Sequence, residues 1–256
     1  PTPLESLELR GNAECADFLN ESVFFQREYI EDCKELDPQL RCFLNLCPHS
    51  FFPMKLSSDA TRSRYNQCGQ HGLIVDTRGK FVSHPEFHNP TDRERAMLCL
   101  TEYPMHEWGK LFFICRGEPI IAFQDLMSDV NASIALMPLD KFEFVPNKDQ
   151  LRELDGNWKL HAGNYMDALH IKHIHKAPGG LYDAVEMDSY ETEIYRFSTL
   201  QWVFAKNPDH GFDPAVLPPR FHHPRKRVFA LWWFIFPNLT LNFYPWGLSI
   251  NIYEPH

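Results

Sequence analysis

The sequence lacks a long apolar run and a leader-like beginning. Its longest hydrophobic run, Phe229 to Phe236, is far shorter than the roughly 20 apolar residues that a helix needs to cross a bilayer. Residues 1–12 are polar and do not show the basic, apolar and small-residue progression of a signal peptide. These absences predict a protein without a membrane span that is located in the cytoplasm.

Positive charge is also scarce. The formal net charge is −9 at pH 7, and Arg225-Lys226-Arg227 is the one basic stretch. Binding to nucleic acid or to anionic lipid depends on clustered Lys and Arg side chains. The composition therefore predicts neither nucleic acid nor membrane as a partner.

The cysteines do not indicate a disulfide framework. Seven is an odd number, and a chain of 256 residues can bury a core without disulfides. Two of them, Cys47 and Cys68, each stand beside a histidine at a spacing that is typical of metal ligands. The other five are interpreted as buried reduced thiols, namely Cys15, Cys33, Cys42, Cys99 and Cys115.

The first half of the chain predicts a small all-β unit over residues 36–117. Residues 41–46 and 110–115 have the composition of strands, and residues 72–82 predict a hairpin that turns at Thr77-Arg78-Gly79. Ahead of it, residues 1–35 predict a helical segment that packs on the larger body after residue 117. Apolar residues between 13 and 36 recur at helical spacing.

The second half predicts a larger α+β body over residues 118–256. Residues 120–137 and 158–174 predict helices, the latter ending before Pro178-Gly179-Gly180. Residues 185–205 and 228–253 are rich in aromatic and β-branched residues and predict strands. The fold class is therefore α+β.

Two Cys/His pairs form the first candidate metal site. Cys47-x-His49 and Cys68-x-x-His71 are separated by 18 residues, and Gly69 and Gly72 flank the second pair. Two cysteines and two histidines can hold structural zinc. They can also hold a Rieske [2Fe–2S] cluster, in which two His bind one iron and two Cys bind the other. Backbone N–H groups at the two glycines would then stabilise the cluster's sulfurs.

These pairs resemble the C-x-H and C-x-x-H motifs of Rieske proteins, and a second resemblance follows downstream. Asn157-Trp158-Lys159, followed by Asp167-x-x-His170-x4-His175, is similar to the catalytic-domain signature of Rieske non-haem iron oxygenases of the aromatic-ring-hydroxylating alpha-subunit type. The likeness implies a small all-β Rieske domain inserted in a helix-grip-like antiparallel sheet domain. It also implies that His170 and His175 bind a mononuclear Fe(II), and that Asp167 is an acidic bridge for electrons from the cluster of a neighbouring subunit.

Helical spacing tests this second site. On an ideal helix His170 and His175 point about 140° apart, so the helix must loosen after His170 for both to reach one metal. The alternative is a solvated helix end, in which Lys172, His173 and His175 complement the helix dipole. The Cys/His pairs upstream favour iron.

The third iron ligand is not fixed. The family's carboxylate ligand comes from a later helix, beyond the strand that resembles residues 238–254, and the sequence stops at His256. We therefore expect a C-terminally incomplete catalytic domain, another carboxylate, or an incomplete triad. The in-chain carboxylates are weak candidates, namely Glu186, Asp188 and Glu254.

The resemblance implies an oxygenase that uses dioxygen and electrons from a reductase or ferredoxin to hydroxylate a small organic molecule, and a homotrimer. Residues 236–239 and 242–247 look most like the branch of choline, carnitine and glycine-betaine oxygenases. An aromatic-lined pocket could hold a quaternary ammonium by cation–π attraction or hold an aromatic ring. The alternatives are a Rieske electron-transfer protein with a degenerate second site and a zinc-binding structural protein.

Overall fold

The computed structural model describes residues 13–18, 21–29, 39–56, 63–109, 111–145, 148 and 150–253. The chain forms two compact units that divide between Ile120 and Ile121, near the predicted boundary at residue 117. Across the described residues, no helix is both long enough and apolar enough to span a membrane.

Among its described residues, the first unit consists of short antiparallel strands and one helix. A four-stranded sheet has the order β1-β2-β3-β7, a three-stranded sheet the order β4-β5-β6, and β8 pairs with β9. The strands are β1 (Ala13–Phe18), β2 (Glu21–Arg27), β3 (Leu40–Leu44), β4 (Tyr65–Gln67), β5 (Ile74–Asp76), β6 (Phe81–Ser83), β7 (Glu102–Tyr103), β8 (Met105–Trp108) and β9 (Leu111–Ile114). Helix α1 (Asp92–Met97) begins with a capping box between Thr91 and Glu94.

The predicted N-terminal helix is wrong for the residues that the structure describes. β2 lies between β1 and β3 in the first sheet, so this segment belongs to the β unit. Four consecutive residues, Val23 to Gln26, are buried. A strand covered on both faces carries a continuous apolar run, which periodicity cannot distinguish from a buried helix. The rest of the predicted segment, residues 1–12, 19–20 and 30–35, lies outside the described residues.

The predicted hairpin is confirmed. β5 and β6 pair in antiparallel fashion around the expected turn. Gly79 has φ +73° there, and a Cβ at this position would lie 2.6 Å from the ring of Phe43. Glycine is required because the turn needs a left-handed residue and the core approaches it closely.

The second unit contains a five-stranded antiparallel sheet whose strands lie side by side in sequence order, β10-β11-β12-β13-β14. The strands are β10 (Glu191–Ile194), β11 (Ser198–Phe204), β12 (Val228–Ile235), β13 (Leu239–Tyr244) and β14 (Gly247–Ile252). The helices are α2 (Phe123–Ile134), α3 (Trp158–Met166), α4 (Ile171–Ile174) and α5 (Leu181–Ala184). Every residue of the central strand β12 is buried, as expected for a strand covered on both faces.

Helix α2 lies where a helix was predicted and buries Met127, Val130 and Ile134. The predicted helix over residues 158–174 is instead broken in two, since α3 ends at Met166 and α4 begins at Ile171. The four residues between them include Asp167 and His170.

Candidate iron centres

Two loops of the first unit have the same backbone hydrogen bonds. Cys47 follows β3, and its N–H donates to the Phe52 carbonyl while its own carbonyl accepts from Phe51. Cys68 follows β4, and its N–H donates to the Leu73 carbonyl while its own carbonyl accepts from Gly72. The fourth residue after each cysteine has positive φ, +57° at Phe51 and +78° at Gly72. The sequence therefore folds both motifs into one kind of turn.

The four predicted cluster ligands are brought together. Both cysteines are buried, and the Cys47 side chain lies within hydrogen-bonding reach of the Cys68 sulfur. The imidazole rings of His49 and His71 meet edge to face, with centroids 5.1 Å apart. His71 is exposed and His49 is half-buried, so the histidine side of the site faces solvent in this unit.

The environment of Cys68 favours a thiolate. Burial would raise the pKa of Cys68, but the backbone N–H groups of Gln70 and His71 donate to the sulfur and outweigh it, so the pKa lies below its usual value. The expectation that Gly72 donates its N–H to a sulfur is wrong, because this N–H bonds the Cys68 carbonyl at 3.0 Å. Gly72 contributes a left-handed conformation instead.

The residues fit a two-iron cluster. Within the described part of the chain, no three His, Cys, Asp or Glu side chains form one convergent group. A cluster with two Cys on one iron and two His on the other does not need such a group of three. Nδ1 of His49 is buried and has no hydrogen-bond partner among the described residues, so its lone pair is free for a metal.

The other cysteines are not placed as ligands. Burial, with a contribution from Glu102, raises the pKa of Cys42 to about 12, which makes it an inert core thiol. Cys99 and Cys115 are only partly buried, so the expectation that both are buried is wrong. The side chain of Cys15 and all of Cys33 lie outside the described residues.

A third histidine at this site was not predicted. His84 is buried, its ring lies 4.6 Å from that of His49, and it stacks on Phe87 at 4.5 Å. Its Nδ1 accepts from the N–H of Glu86, and burial, reinforced by His49, lowers its pKa. No spacing rule marks His84, because it reaches the site through the fold of the hairpin.

The second predicted pair also meets. His170 precedes α4 and His175 follows it, and their Nε2 atoms lie 3.2 Å apart. Two nitrogens that each bind one ion at about 2.1 Å, with roughly a right angle between the bonds, lie about 3 Å apart. The side chains therefore fit one metal held through both Nε2 atoms.

The helix is interrupted before His170, whereas the spacing argument placed the loosening after it. Asp167 ends α3 with extended backbone, and its Oδ1 accepts from the N–H of Leu169 at 2.8 Å. The other carboxylate oxygen lies 3.6 Å from Nδ1 of His170. That Nδ1 is buried and has no hydrogen-bond partner in the described part of the chain. Asp167 thus faces the ring edge of His170 that points away from His175.

Neither of the two candidate third ligands that the structure describes joins this pair. Glu186 forms an ion pair with Lys226 at 2.9 Å. Asp188 does not converge with the two histidines, since no described group of three exists there. Glu254 lies outside the described residues. The described structure therefore provides two histidines and a nearby Asp167.

The aromatic residues of the sheet divide into two sets. Trp233 is fully buried and donates to Ser133 Oγ, so it belongs to the core. An aromatic group forms elsewhere, with Tyr244 stacked on Trp246 at 4.8 Å and Phe229 edge-on to both. Trp232 also contacts Phe229 and Tyr244 and completes this group.

Known proteins resemble this chain in sequence and in fold. Residues 140–256 match the family described as ring hydroxylating alpha subunit (catalytic domain). The chain is homologous to the oxygenase components of Rieske oxygenases. Among them are the carnitine monooxygenase oxygenase subunit of Acinetobacter baumannii, 25% identical over 195 residues, and chloroplastic choline monooxygenase of Arabidopsis thaliana, 31% identical over 238 residues. The dicamba O-demethylase oxygenase component of Stenotrophomonas maltophilia is 29% identical over 190 residues.

The chain spans about half the length of each of these relatives, 50% of the carnitine and dicamba enzymes and 52% of the choline enzyme. The matched residues make up 73%, 73% and 87% of this chain, respectively. Solved structures show the same fold. A quaternary ammonium Rieske monooxygenase in complex with L-carnitine has a TM-score of 0.66 at 18% identity, covering 96% of this chain and 61% of that one. Naphthalene 1,2-dioxygenase from Rhodococcus sp. has a TM-score of 0.65 at 16% identity, covering 98% and 62%.

Proposed function

We propose that this chain is part of a Rieske-type oxygenase component that inserts oxygen from dioxygen into a small organic substrate. The observation that carries the proposal is that two separate groups of side chains, each of a type that binds metals, come together in one chain. Cys47, His49, Cys68 and His71 meet in the first unit, and His170 and His175 meet in the second. The first unit is then the Rieske domain, and the second carries the helix-grip-like sheet.

The chain's own side chains have distinct roles in this proposal. Cys47 and Cys68 would hold one iron of a [2Fe–2S] cluster and His49 and His71 the other, while His170 and His175 would hold a mononuclear Fe(II) through Nε2. When bound, these irons supply the electron and dioxygen chemistry. The two loops would shield the thiolate side of a bound cluster, because Cys47 and Cys68 are buried in the apolar core of the first unit.

Asp167 is proposed as the acidic bridge. Its Oδ2 atom lies 3.6 Å from Nδ1 of His170. After a small movement, this oxygen can accept a hydrogen bond from the Nδ1–H group. A carboxylate in this position fixes the tautomer of a metal-bound histidine and orients its ring. A reductase or ferredoxin is the proposed electron donor. The homotrimer and the cytoplasmic location stay predictions.

The proposed substrate is a quaternary ammonium compound or an aromatic compound. Carnitine and choline monooxygenases are among the relatives, and so is an enzyme that demethylates dicamba. In the aromatic group of Phe229, Trp232, Tyr244 and Trp246, the first two residues are buried in the core and Trp246 is exposed, so its ring is the one placed to attract a cation or stack on an aromatic ring. Tyr190 stacks on Trp232, and Asp167, in addition to burial, raises its pKa, so this group and Asp167 share one side of the sheet.

A second candidate function is electron transfer by a Rieske protein whose second site is degenerate. The observation that favours it is that no described carboxylate joins His170 and His175. The candidates differ in metal content, because an electron carrier needs the cluster alone.

Replacing His170 by Ala tests the oxygenase proposal, and His173→Ala is the matched control. His173 lies on α4, three residues after His170. It is exposed and does not belong to the His170–His175 pair. H170A should lose the mononuclear iron and dioxygen-dependent product formation while it keeps the visible absorption of the cluster. H173A should keep all three properties. Loss of the cluster absorption in H170A would overturn the assignment of the two sites.

A further inference from the structure

Two buried amide side chains, with a tryptophan between them, lie in one row across the sheet near the break between α3 and α4. Gln201 on β11 pairs with Trp232 on β12, and Trp232 pairs with Asn242 on β13, so the three side chains share one face. Gln201 and Asn242 are 1% and 5% exposed. Buried amides in a sheet otherwise rich in apolar residues need hydrogen-bond partners, and both find them on α3.

Both amides bind Tyr165, the last residue but one of α3. The Tyr165 hydroxyl donates to Oδ1 of Asn242 at 2.7 Å, and Nε2 of Gln201 donates to the Tyr165 carbonyl at 3.1 Å. Oε1 of Gln201 accepts from the hydroxyl of Tyr190 at 2.7 Å. Gln201 is therefore a donor on one side and an acceptor on the other, which an ionised carboxylate of the same shape cannot be.

The bond to the Tyr165 carbonyl replaces a helical one. In a continuous helix this carbonyl would accept from the N–H of Leu169, four residues later. Here the Leu169 N–H donates to the side chain of Asp167. The last carbonyls of a helix need substitute donors, and Gln201 is the substitute for this one. Two side-chain hydrogen bonds, one from Gln201 and one to Asp167, thus stabilise the broken form.

We propose that Gln201, oriented by Tyr190, is a positioning residue that keeps α3 from continuing through Asp167 and thereby places the Asp167 carboxylate beside Nδ1 of His170. The segment from His170 to His175 stays helical, so the break acts on Asp167 and not on the angle between the two imidazoles. This inference rests on the proposed function for its consequence at the metal, but the hydrogen bonds concern the chain alone. It therefore makes a prediction for the metal-free protein as well.

The test compares Gln201→Glu and Gln201→Met in the full chain after the mononuclear iron is removed by chelation. The glutamate keeps the acceptor for Tyr190 and loses the donor to Tyr165, and the methionine loses both. Glu193→Gln is the matched control, because Glu193 bonds Tyr195, Trp202 and Arg220 in the same sheet and makes no contact with α3 that the structure records. Two quantities are measured, Co²⁺ binding by equilibrium dialysis and amide hydrogen exchange over residues 167–175.

Both Gln201 variants should bind Co²⁺ about 10-fold more weakly or worse, as partners behind metal ligands typically do when removed. Exchange over residues 167–175 should change about 10-fold in both, while E193Q alters neither quantity more than about twofold. A folded Q201M with unchanged affinity and unchanged exchange overturns the proposal. If Q201M does not fold, Tyr190→Phe replaces it. Its Co²⁺ affinity and its exchange over residues 167–175 should then change in the same direction as in Q201E, but less. If neither quantity changes, the proposal is overturned.

The metal site and the role of Gln201 are tested separately. If the unmodified chain binds no Co²⁺ that H170A abolishes, the proposed metal site is wrong. The exchange comparison then still decides the role of Gln201. Altered exchange in Q201E supports that role without the metal, and exchange equal to that of the unmodified chain overturns it.

Discussion

Phe51 and Gly72 occupy equivalent places in two loops that differ in sequence. Each is the fourth residue after a cysteine, donates its N–H to that cysteine's carbonyl, and has positive φ. A left-handed conformation costs a residue with a Cβ roughly 1–2 kcal/mol, which glycine avoids. Phe51 adopts this conformation despite the cost, because the same turn forms after Cys47 as after Cys68.

Gly72→Ala should weaken retention of the cluster and lower the free energy of unfolding by about 1–2 kcal/mol. The new Cβ would have to sit at φ +78° and lie 3.1 Å from the ring of Pro85. Urea unfolding and the visible absorption of the purified protein measure the two effects. Gly69→Ala is the control in the same loop, since a Cβ there meets nothing within 4 Å and its φ is not positive. Equal effects from the two substitutions would contradict this account of the turn.

Gly180→Ala should weaken metal binding at the His170–His175 pair about 10-fold. A Cβ at Gly180 would lie 2.7 Å from the carbonyl oxygen of His175 and 2.8 Å from that of Ala177, so the backbone that carries His175 must shift. Equilibrium dialysis with Co²⁺ measures the affinity. Unchanged affinity would mean that the loop after α4 does not set the position of His175.

Gly163→Ala is the matched control for that substitution and carries a prediction of its own. Gly163 is an exposed interior residue of α3, and a Cβ there meets nothing within 4 Å. Alanine should therefore raise the free energy of unfolding by about 0.5–1 kcal/mol without altering metal affinity. Denaturant unfolding measures the change, and a loss of stability would contradict the open surroundings of Gly163.

Stability should fall at acid pH partly through Glu193. Partial burial would raise its pKa, but hydrogen bonds from Tyr195, Arg220 and Trp202 outweigh this, and the pKa is lower than the usual 4.5. A lowered carboxylate pKa contributes stability that is fully present above pH 4.5 and is lost as pH falls through the folded-state pKa. Glu193→Gln should cost about 1 kcal/mol or less at pH 7 and reduce the acid dependence below pH 4.5.

Urea unfolding at pH 7 and at pH 3.5 checks this prediction. Glu191→Gln is the control, because Glu191 lies on the same strand β10 and is exposed. An E193Q variant that retains the full acid dependence would show that another carboxylate is responsible.

Motifs with short, fixed spacing could be predicted from the sequence. The pairs Cys47/His49 and Cys68/His71 each lie within one loop, so their convergence depends mainly on two adjacent turns. The hairpin at Gly79 and the long antiparallel strands β12 to β14 follow from local turn chemistry and composition. These features depend on near neighbours in the chain.

Features that depend on distant contacts could not be predicted. The sequence of β2 predicts a helix because both faces of the strand are buried. Burial on two faces removes the alternation of apolar and polar residues that marks a strand. At the helix break before His170, the Tyr165 carbonyl accepts from Gln201, which comes 36 residues later in the chain and lies on the sheet. His84 likewise reaches His49 through the β5–β6 hairpin. Such residues carry no local signal.

The most direct test of the two-centre account is to count iron and acid-labile sulfide in anaerobically purified, unmodified protein and to record its visible spectrum. The account predicts about three irons and about two sulfides per chain, with the absorption of a Rieske cluster. Two irons with two sulfides would favour the electron carrier. A colourless protein that contains zinc would contradict the account altogether.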